Sequence, residues 1–423
     1  MPSFKFIHAA DVHLDSPLSG LERYEGAPVD EIRGATRHAF DNLINLAIEE
    51  KVAFVLLAGD LYDGDWKDYN TGLYFMKRMS LLHEASIRVY MIAGNHDASS
   101  QITKNLRLPD NVKVFSINAP EQVVLEDLKV AIYGQGFATR AVTEDISQVY
   151  PQGDTQYFNI GLLHTCLTGK PGHEPYAPCT VDGLRSKGYQ YWALGHVHKR
   201  EVVSQQPWIV FPGNIQGRHI RETGAKGCTL VTVDHGEVAE VVHRNLDVMR
   251  WALCELDVAN TDTADEVYDT VSAALQTTLD EADGLPVAVR LVLTGACDAH
   301  TGLHAEHERW VQEYRALATR LGGAGLWLEK VAIKTRPSVS IEEALDREDA
   351  LSHLLRGIRD MELDDSALAE LANEMTAFRK KLHAAIPAGE ERYDPADPEQ
   401  LRDTLEDIKA LLLNRLLSTE HDA

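Results

Sequence analysis

The chain has 423 residues, too many for one comfortable hydrophobic core, so two or three domains are expected. Hydrophobic residues make up 44%, charged 25% and aromatic 7%, a globular composition without low-complexity tracts or an apolar run of bilayer-crossing length. Against 41 Lys and Arg stand 65 Asp and Glu, a net charge of −24 that argues against unaided, tight duplex binding but leaves room for a cation-loaded site.

Taken in chain order, residues 1–245 alternate between short apolar runs and amphipathic stretches. Strands are predicted at Phe4 to Ala10, Ala53 to Ala58, Arg88 to Ala93, Asn159 to Leu163 and Tyr189 to Leu194. One helical stripe (Ile32, Phe40, Leu43, Ile44, Ala47) lies between the first two strands, and another (Leu73, Met76, Met79 and Leu82 or close neighbours) between the second and third. This rhythm predicts a layered, sandwich-like α/β domain over residues 1–245.

From residue 246 to 337 a second, smaller α/β unit is predicted. It has strands at Trp251 to Val258, Pro286 to Leu293 and Leu326 to Lys334, with helices at Asp265 to Ala282 and His304 to Leu321. Residues 338–423 read as helical, with stripes Leu368, Leu371, Met375, Phe378, Leu382 and Leu401, Leu405, Ile408, Leu412. Those stripes suit either a self-packed hairpin or a docking face for a partner coiled coil. The five cysteines are odd in number, widely spaced and without a C-x-x-C pair, so reduced buried thiols are expected. No signal-peptide pattern follows Met1, and the expectation is a soluble, cytoplasmic protein.

Five polar clusters each follow one of the apolar runs: Asp11-Val12-His13, Gly59-Asp60-Leu61-Tyr62-Asp63, Gly94-Asn95-His96-Asp97, His164, and Gly195-His196-Val197-His198. In layered α/β folds the carboxyl ends of strands share one edge, and ligands bind there. Carboxylate, imidazole and amide oxygen without thiolate suit manganese, iron or zinc. Seven such groups exceed one ion's needs and fit two ions bridged by a carboxylate, the arrangement that clamps a phosphodiester. A lone D-x-H pair is weak evidence, because such pairs usually serve caps or surfaces. All five clusters in this order, each at a strand end, make coincidence a poor explanation.

The order D-x-H, G-D-x-x-D, G-N-H-D, single His, G-H-x-H resembles the calcineurin-like metallophosphoesterases. The G-N-H-D form is similar to the nuclease and diesterase branch, whereas the superfamily's protein phosphatases typically end this motif in Glu. The whole chain resembles SbcD-type nuclease subunits, and Asp11 to Leu18, Gly134-Gln135-Gly136-Phe137 and Phe211 to Gly217 resemble their YhaO-type bacterial branch. This resemblance implies one divalent ion held by Asp11, His13, Asp60 and His198, and a second held by Asp60, Asn95, His164 and His196, manganese first with iron or zinc as alternatives. It further implies His96 as donor to the leaving oxygen, oriented by Asp97, and an SbcC-like, SMC-type ABC ATPase as partner.

Asp15 departs from the family pattern, and is expected either to narrow substrate choice as an extra carboxylate beside the metals or to cap the turn at Ser16-Pro17. His8, inside the first strand, is expected to be a packed histidine. Arg218, His219 and Arg221 are candidates for nucleic-acid phosphates, or else solvated loop residues paired with Glu222. The expected function is a two-metal DNA exonuclease or endonuclease acting in DNA repair, without membrane association and compatible with a homodimer. The alternative is a small-molecule or cyclic-nucleotide phosphodiesterase.

Overall fold

The computed structural model describes residues 1–15, 29–63, 69–99, 107–167, 176–259, 261–338, 345–346, 348–361, 364–375 and single positions or short runs between 397 and 416. In chain order come β1 (Phe4–Ala9), α1 (Val29–Glu49), β2 (Phe54–Ala58), α2 (Tyr69–Glu84), β3 (Arg88–Ile92), β4 (Val112–Val114), β5 (Glu121–Leu125), β6 (Val130–Gln135) and β7 (Phe158–His164). The short helix α3 (Val181–Arg185) precedes β8 (Tyr191–Gly195), β9 (Glu201–Gln205), β10 (Trp208–Phe211), β11 (Gly227–Asp234) and β12 (Glu237–Asn245).

These strands form two six-stranded sheets, ordered β12-β11-β1-β2-β3-β4 and β5-β6-β7-β8-β10-β9. β1, β2 and β3 are parallel neighbours, with Phe6 opposite Phe54 and Val55 opposite Val89; β6, β7 and β8 are likewise parallel. Alternate residues of β1 and β2 face opposite ways. Phe4, Phe6, Phe54 and Leu56 meet Phe158, Ile160, Leu162 and Tyr191 of the second sheet, while Ile7, Ala9, Val55 and Leu57 meet Phe40 and Leu43 of α1 and Met79 of α2. Burial on both faces is why these strands read as unbroken apolar runs rather than alternating ones. The rings of Phe6 and Phe54 stack at 5.1 Å, and Tyr191 meets Phe6 edge-on at 5.2 Å. The outer face of the second sheet is covered by a cluster including Trp192, Leu163 and, from α3, Leu184.

The α2 stripe keeps Met79 and Leu82 but begins on Phe75 rather than Leu73. Phe75, Met79 and Leu82 are buried, at spacings of four and three, while Leu73 is 61% exposed. Two positions along a helix is about 200°, so Leu73 and Phe75 cannot share a face.

Further on, β13 (Arg250–Asp257), α4 (Ala264–Asp280), β14 (Val287–Thr294), α5 (His300–Ala305), α6 (His307–Gly322) and β15 (Leu326–Ile333) follow, and β13, β14 and β15 form a three-stranded sheet. The single helix predicted from His304 is two pieces, starting at His300 and interrupted at Glu306, whose φ of −118° and ψ of 39° leave the helical region. The chain divides into two compact units, Met1–Leu253 with Thr278–Arg290 and Leu321–Glu329, and Cys254–Thr277 with Leu291–Arg320 and Lys330–Ala423. Both stacked sheets belong to the first.

In the second unit, α7 (Ala350–Arg359) and α8 (Asp365–Glu374) begin on Asp349 and Asp364, each of which caps its helix by accepting a backbone N–H. Leu368 and Ala372 bury against Leu401, so the two predicted stripes meet there. Toward the end of the chain the register differs from prediction. Lys409 and Leu413 are buried, whereas Ile408 and Leu412 are 47% and 39% exposed. Phe378 and Leu382 lie outside the described residues. All five cysteines are buried and free. Among the described residues no helix is long and apolar enough to cross a membrane.

Candidate metal centre

The carboxyl ends of β1, β2, β3, β7 and β8 converge, and each delivers one of the polar clusters. The segment after β1 runs alongside the one after β2, with Asp11 N–H donating to Gly59 O (3.1 Å), His13 N–H to Asp60 O (3.0 Å) and Leu14 N–H to Leu61 O (2.9 Å). Asp11, His13, Asp60 and His196 all take left-handed φ, of 50°, 45°, 53° and 101°. Non-glycine residues seldom adopt this region, and such strain gathers at functional sites where the surroundings enforce it. The glycines supply room: a Cβ on Gly94 would collide with the Asp60 carboxylate, and one on Gly195 with the Ala58 carbonyl oxygen.

Three groups of donor atoms lie within 4.8 Å of one another: Asp11, His13 and His198; Asp60, His164 and His196; and His13, Asp63 and His96. Within the first group His13 Nε2 lies 3.3 Å from His198 Nε2, and the same atom reaches the second group at Asp60 Oδ2 (4.0 Å). Asn95 adds its Oδ1, 2.9 Å from His164 Nε2, while His164 Nδ1 donates to Ala58 O at 2.9 Å, which turns Nε2 toward the cluster. His196 N–H donates to both oxygens of Asp11, and His96 N–H donates to Asp60 Oδ1 at 2.9 Å. All seven residues expected to ligate are therefore gathered at one place, five of them buried and His196 and His198 half-buried.

The electrostatics match a cation cradle. Burial pushes the Asp11 carboxyl up, and the Asp60 charge pushes the same way against the pull of His198 and His164. Burial works to lower His164, yet the Asp60 carboxylate outweighs it and lifts the imidazole to about 9. Two buried carboxylates ringed by imidazoles are costly without positive charge between them, and oxygen and nitrogen donors at this density suit divalent cations.

Asp97 does something other than orient His96. Its Oδ2 accepts from Leu61 N (3.2 Å) and Gly94 N (3.0 Å), and its Oδ1 from Tyr62 N (2.9 Å), so it clamps the segment after β3 to the one after β2. Burial, then the Asp60 charge, lifts this carboxyl to about 6 against those three N–H donors. The carboxylate at His96 is Asp63, whose Oδ1 lies 2.7 Å from His96 Nδ1. Burial disfavours the His96 imidazolium, but the Asp63 hydrogen bond and the charges of Asp60 and Asp63 outweigh it and raise its pKa.

The turn at Ser16-Pro17 lies outside the described residues, and Asp15 is turned to α1 and α2. Both its oxygens are taken by the Arg37 guanidinium, Nε to Oδ1 at 2.6 Å and Nη2 to Oδ2, and the Thr71 hydroxyl also donates to Oδ2. His8 is fully buried, with Nε2 donating to Leu194 O (3.1 Å) and Nδ1 facing the Tyr191 hydroxyl (3.0 Å).

The cluster opens into a cleft of about 740 Å³. Arg218, His219 and Arg221 line it, together with Arg140, Lys199 and Lys226, which the motif search did not single out. Among the described lining residues five are cationic and two, Asp60 and Glu222, are anionic. Glu222 is 5% exposed, and its Oε1 lies 2.7 Å from His198 Nδ1. Asp63 carried a visible signal, a second carboxylate three positions after Asp60; Glu222 was legible as the ion-pair partner of Arg218, four positions away, but not as the partner of His198, 24 residues away.

Residues 4–200 match the calcineurin-like phosphoesterase family, and residues 251–336 match the middle domain of metallophosphoesterase YhaO. Over 372 residues the chain is 35% identical to the uncharacterized metallophosphoesterase YhaO of Bacillus subtilis, covering 84% of this chain and 89% of that protein. It is 26% identical over 279 residues to the DNA double-strand break repair protein Mre11 of Sulfurisphaera tokodaii, covering 62% of this chain and 67% of that one. With the Mre11 protein of Halobacterium salinarum it shares 23% identity across 86% of this chain and 87% of the other. Calcineurin-like phosphoesterases use a dinuclear divalent metal site, and the donor clusters at these strand ends are candidates for it. The chain therefore belongs to the calcineurin-like metallophosphoesterases, in the family of YhaO, and is a metal-dependent phosphoesterase.

Proposed function

We propose that this phosphoesterase is an SbcD-like, manganese-dependent nuclease that hydrolyses phosphodiester bonds of DNA in repair, in the cytoplasm and in company with an SMC-like ABC ATPase. The observation that carries the substrate class is the sign of the cleft. Five cations against two carboxylates line it in a chain of net charge −24. Such segregation concentrates a polyanion at one place. The Mre11 relatives support the same substrate.

In this reading Asp11, His13, Asp60 and His198 hold one ion, Asp60, Asn95, His164 and His196 the other, and Asp60 is shared. Two divalent ions there would supply positive charge at the phosphoryl oxygens. His96, whose protonated form the Asp63 carboxylate favours, gives its proton to the leaving oxygen. Arg218 neutralises a phosphate beside the centre, with His219 and Arg221 further out. Residues 246–337 act as a capping domain, and residues 338–423 dock the ATPase; the 21 acidic and 10 basic side chains of residues 341–423 suit a protein contact better than DNA.

The test is turnover of linear DNA, bis-p-nitrophenyl phosphate and cyclic nucleotides with manganese. DNA cleavage that weakens steeply with salt is expected. Turnover of cyclic nucleotides with intact DNA would establish the small-molecule phosphodiesterase instead.

A further inference from the structure

Glu222 joins the metal centre to the wall of the cleft. Its Oε1 accepts from His198 Nδ1 at 2.7 Å and lies 3.3 Å from Arg218 Nη2. Its Oε2 accepts from Asn214 Nδ2 at 2.9 Å and from Arg218 N at 2.8 Å. At 5% exposure it makes these bonds out of water, where charge-assisted hydrogen bonds are strongest.

The consequence for His198 is a fixed tautomer. With Nδ1–H given to Glu222, the ring's electron pair lies on Nε2, the nitrogen that faces His13 Nε2 at 3.3 Å and Asp11 Oδ1 at 3.8 Å. The consequence for Arg218 is a fixed direction. Held by Glu222 at one end of its guanidinium and 3.7 Å from Asp63 Oδ2 at the other, it spans the cleft wall between His198 and the His96–Asp63 pair.

We propose that Glu222 is a positioning residue that sets a metal ligand and a phosphate-facing arginine with one carboxylate, so that its loss weakens metal and anion binding together. The proposal rests on the reading of His198 as a ligand. A purely structural Glu222 would pin the turn between Asn214 and Arg218 and leave metal affinity alone.

Calorimetric titration of the full chain with manganese, and then of the manganese-saturated protein with inorganic phosphate, tests this at fixed pH. Glu222→Gln should bind one of its two manganese ions about 10–100-fold more weakly, the usual effect of removing a carboxylate behind a ligating histidine. Its phosphate affinity should fall as far as that of Arg218→Ala, whose manganese binding stays at the wild-type level. Because Glu222 acts through His198, the double variant Glu222→Gln/His198→Ala should bind manganese no more weakly than His198→Ala alone. If His198→Ala binds both ions normally, the ligand assignment itself fails. If His198→Ala weakens binding but Glu222→Gln does not, or if the two losses add, the positioning role is overturned. Should Glu222→Gln not fold, Glu222→Asp, which keeps the charge and draws it back by one methylene, carries the same comparison; wild-type manganese affinity in it would overturn the proposal.

Discussion

Replacing Asp97 and Asp63 one at a time separates a carboxylate that holds the site together from one that serves its chemistry. Asp97 is 2% exposed and accepts from the backbone N–H groups of Leu61, Tyr62 and Gly94. A buried N–H left without its acceptor costs about 1–3 kcal/mol. Asp97→Ala strands three of them, roughly 3–9 kcal/mol if the costs added, less as the segments relax. Asp97→Asn keeps one carbonyl oxygen, enough for the Leu61 and Gly94 pair, and leaves Tyr62 N–H facing an amide nitrogen, a loss of about 1–3 kcal/mol. Asp63 is 21% exposed in its side chain, so Asp63→Asn should leave urea-induced unfolding almost unchanged. Its effect falls on turnover, because His96 loses the carboxylate that orients it and favours its protonated form. With manganese, Asp63→Asn should slow DNA cleavage at least tenfold, within the ~10²–10⁴ that a general acid contributes. The assays are urea unfolding and initial rates on DNA for each variant. Asp97→Asn with unfolding within about 0.5 kcal/mol of wild type but a rate as low as that of Asp63→Asn would refute the division of labour.

Asp60→Asn should lower the occupancy of both metals, since a neutral amide bridges two cations poorly; two full equivalents by elemental analysis would remove it from the bridge. His96→Ala should retain both metals and lose about 10²–10⁴ in rate on DNA, with a smaller loss on an activated aryl diester whose leaving group needs no proton. A loss of less than about threefold on DNA would exclude His96 from proton transfer. Burial holds His8 down at about 3 from its ordinary 6.5. The unfolded chain therefore takes up a proton that the fold refuses, so stability is full above about 6.5 and declines as pH falls toward 3, by roughly 2 kcal/mol at pH 5 for this one group. His8→Gln should flatten the acid limb of a stability–pH curve, and an unchanged limb would show that other groups produce it. Deleting residues 338–423 should preserve manganese-dependent cleavage of a short DNA while abolishing co-purification with the ATPase; joint loss of the thermal transition and activity would place that region in the core.

What could be read from the sequence was whatever is local along the chain. Each candidate ligand sits within a few residues of an apolar run, so the strand-end rule anticipated that these side chains gather at one edge. The choice between Asp63 and Asp97 was not local. Both are near His96, and the left-handed turn at Asp60 helps decide which carboxylate reaches the imidazole and which turns to the backbone. Asp15 looked like a metal neighbour because it follows His13 so closely, but its partner Arg37 lies 22 residues further on, in α1. On α2 and near residue 409 the pattern of apolar residues admits two adjacent faces, and packing partners select one. A lysine at the buried position 409 gave no apolar mark to follow.

The backbone bonds running from Asp11, His13 and Leu14 to Gly59, Asp60 and Leu61 extend the pairing of β1 and β2 past the formal ends of those strands. The segments that carry four of the donor side chains are thus splinted to the sheet, and they open only when that edge of the sheet opens. Their amides should exchange with solvent at the slow rate of the central strands rather than at the rate of surface loops. The lifetime of the assembled centre is then the lifetime of the domain, and no gentle local fluctuation dismantles one without the other.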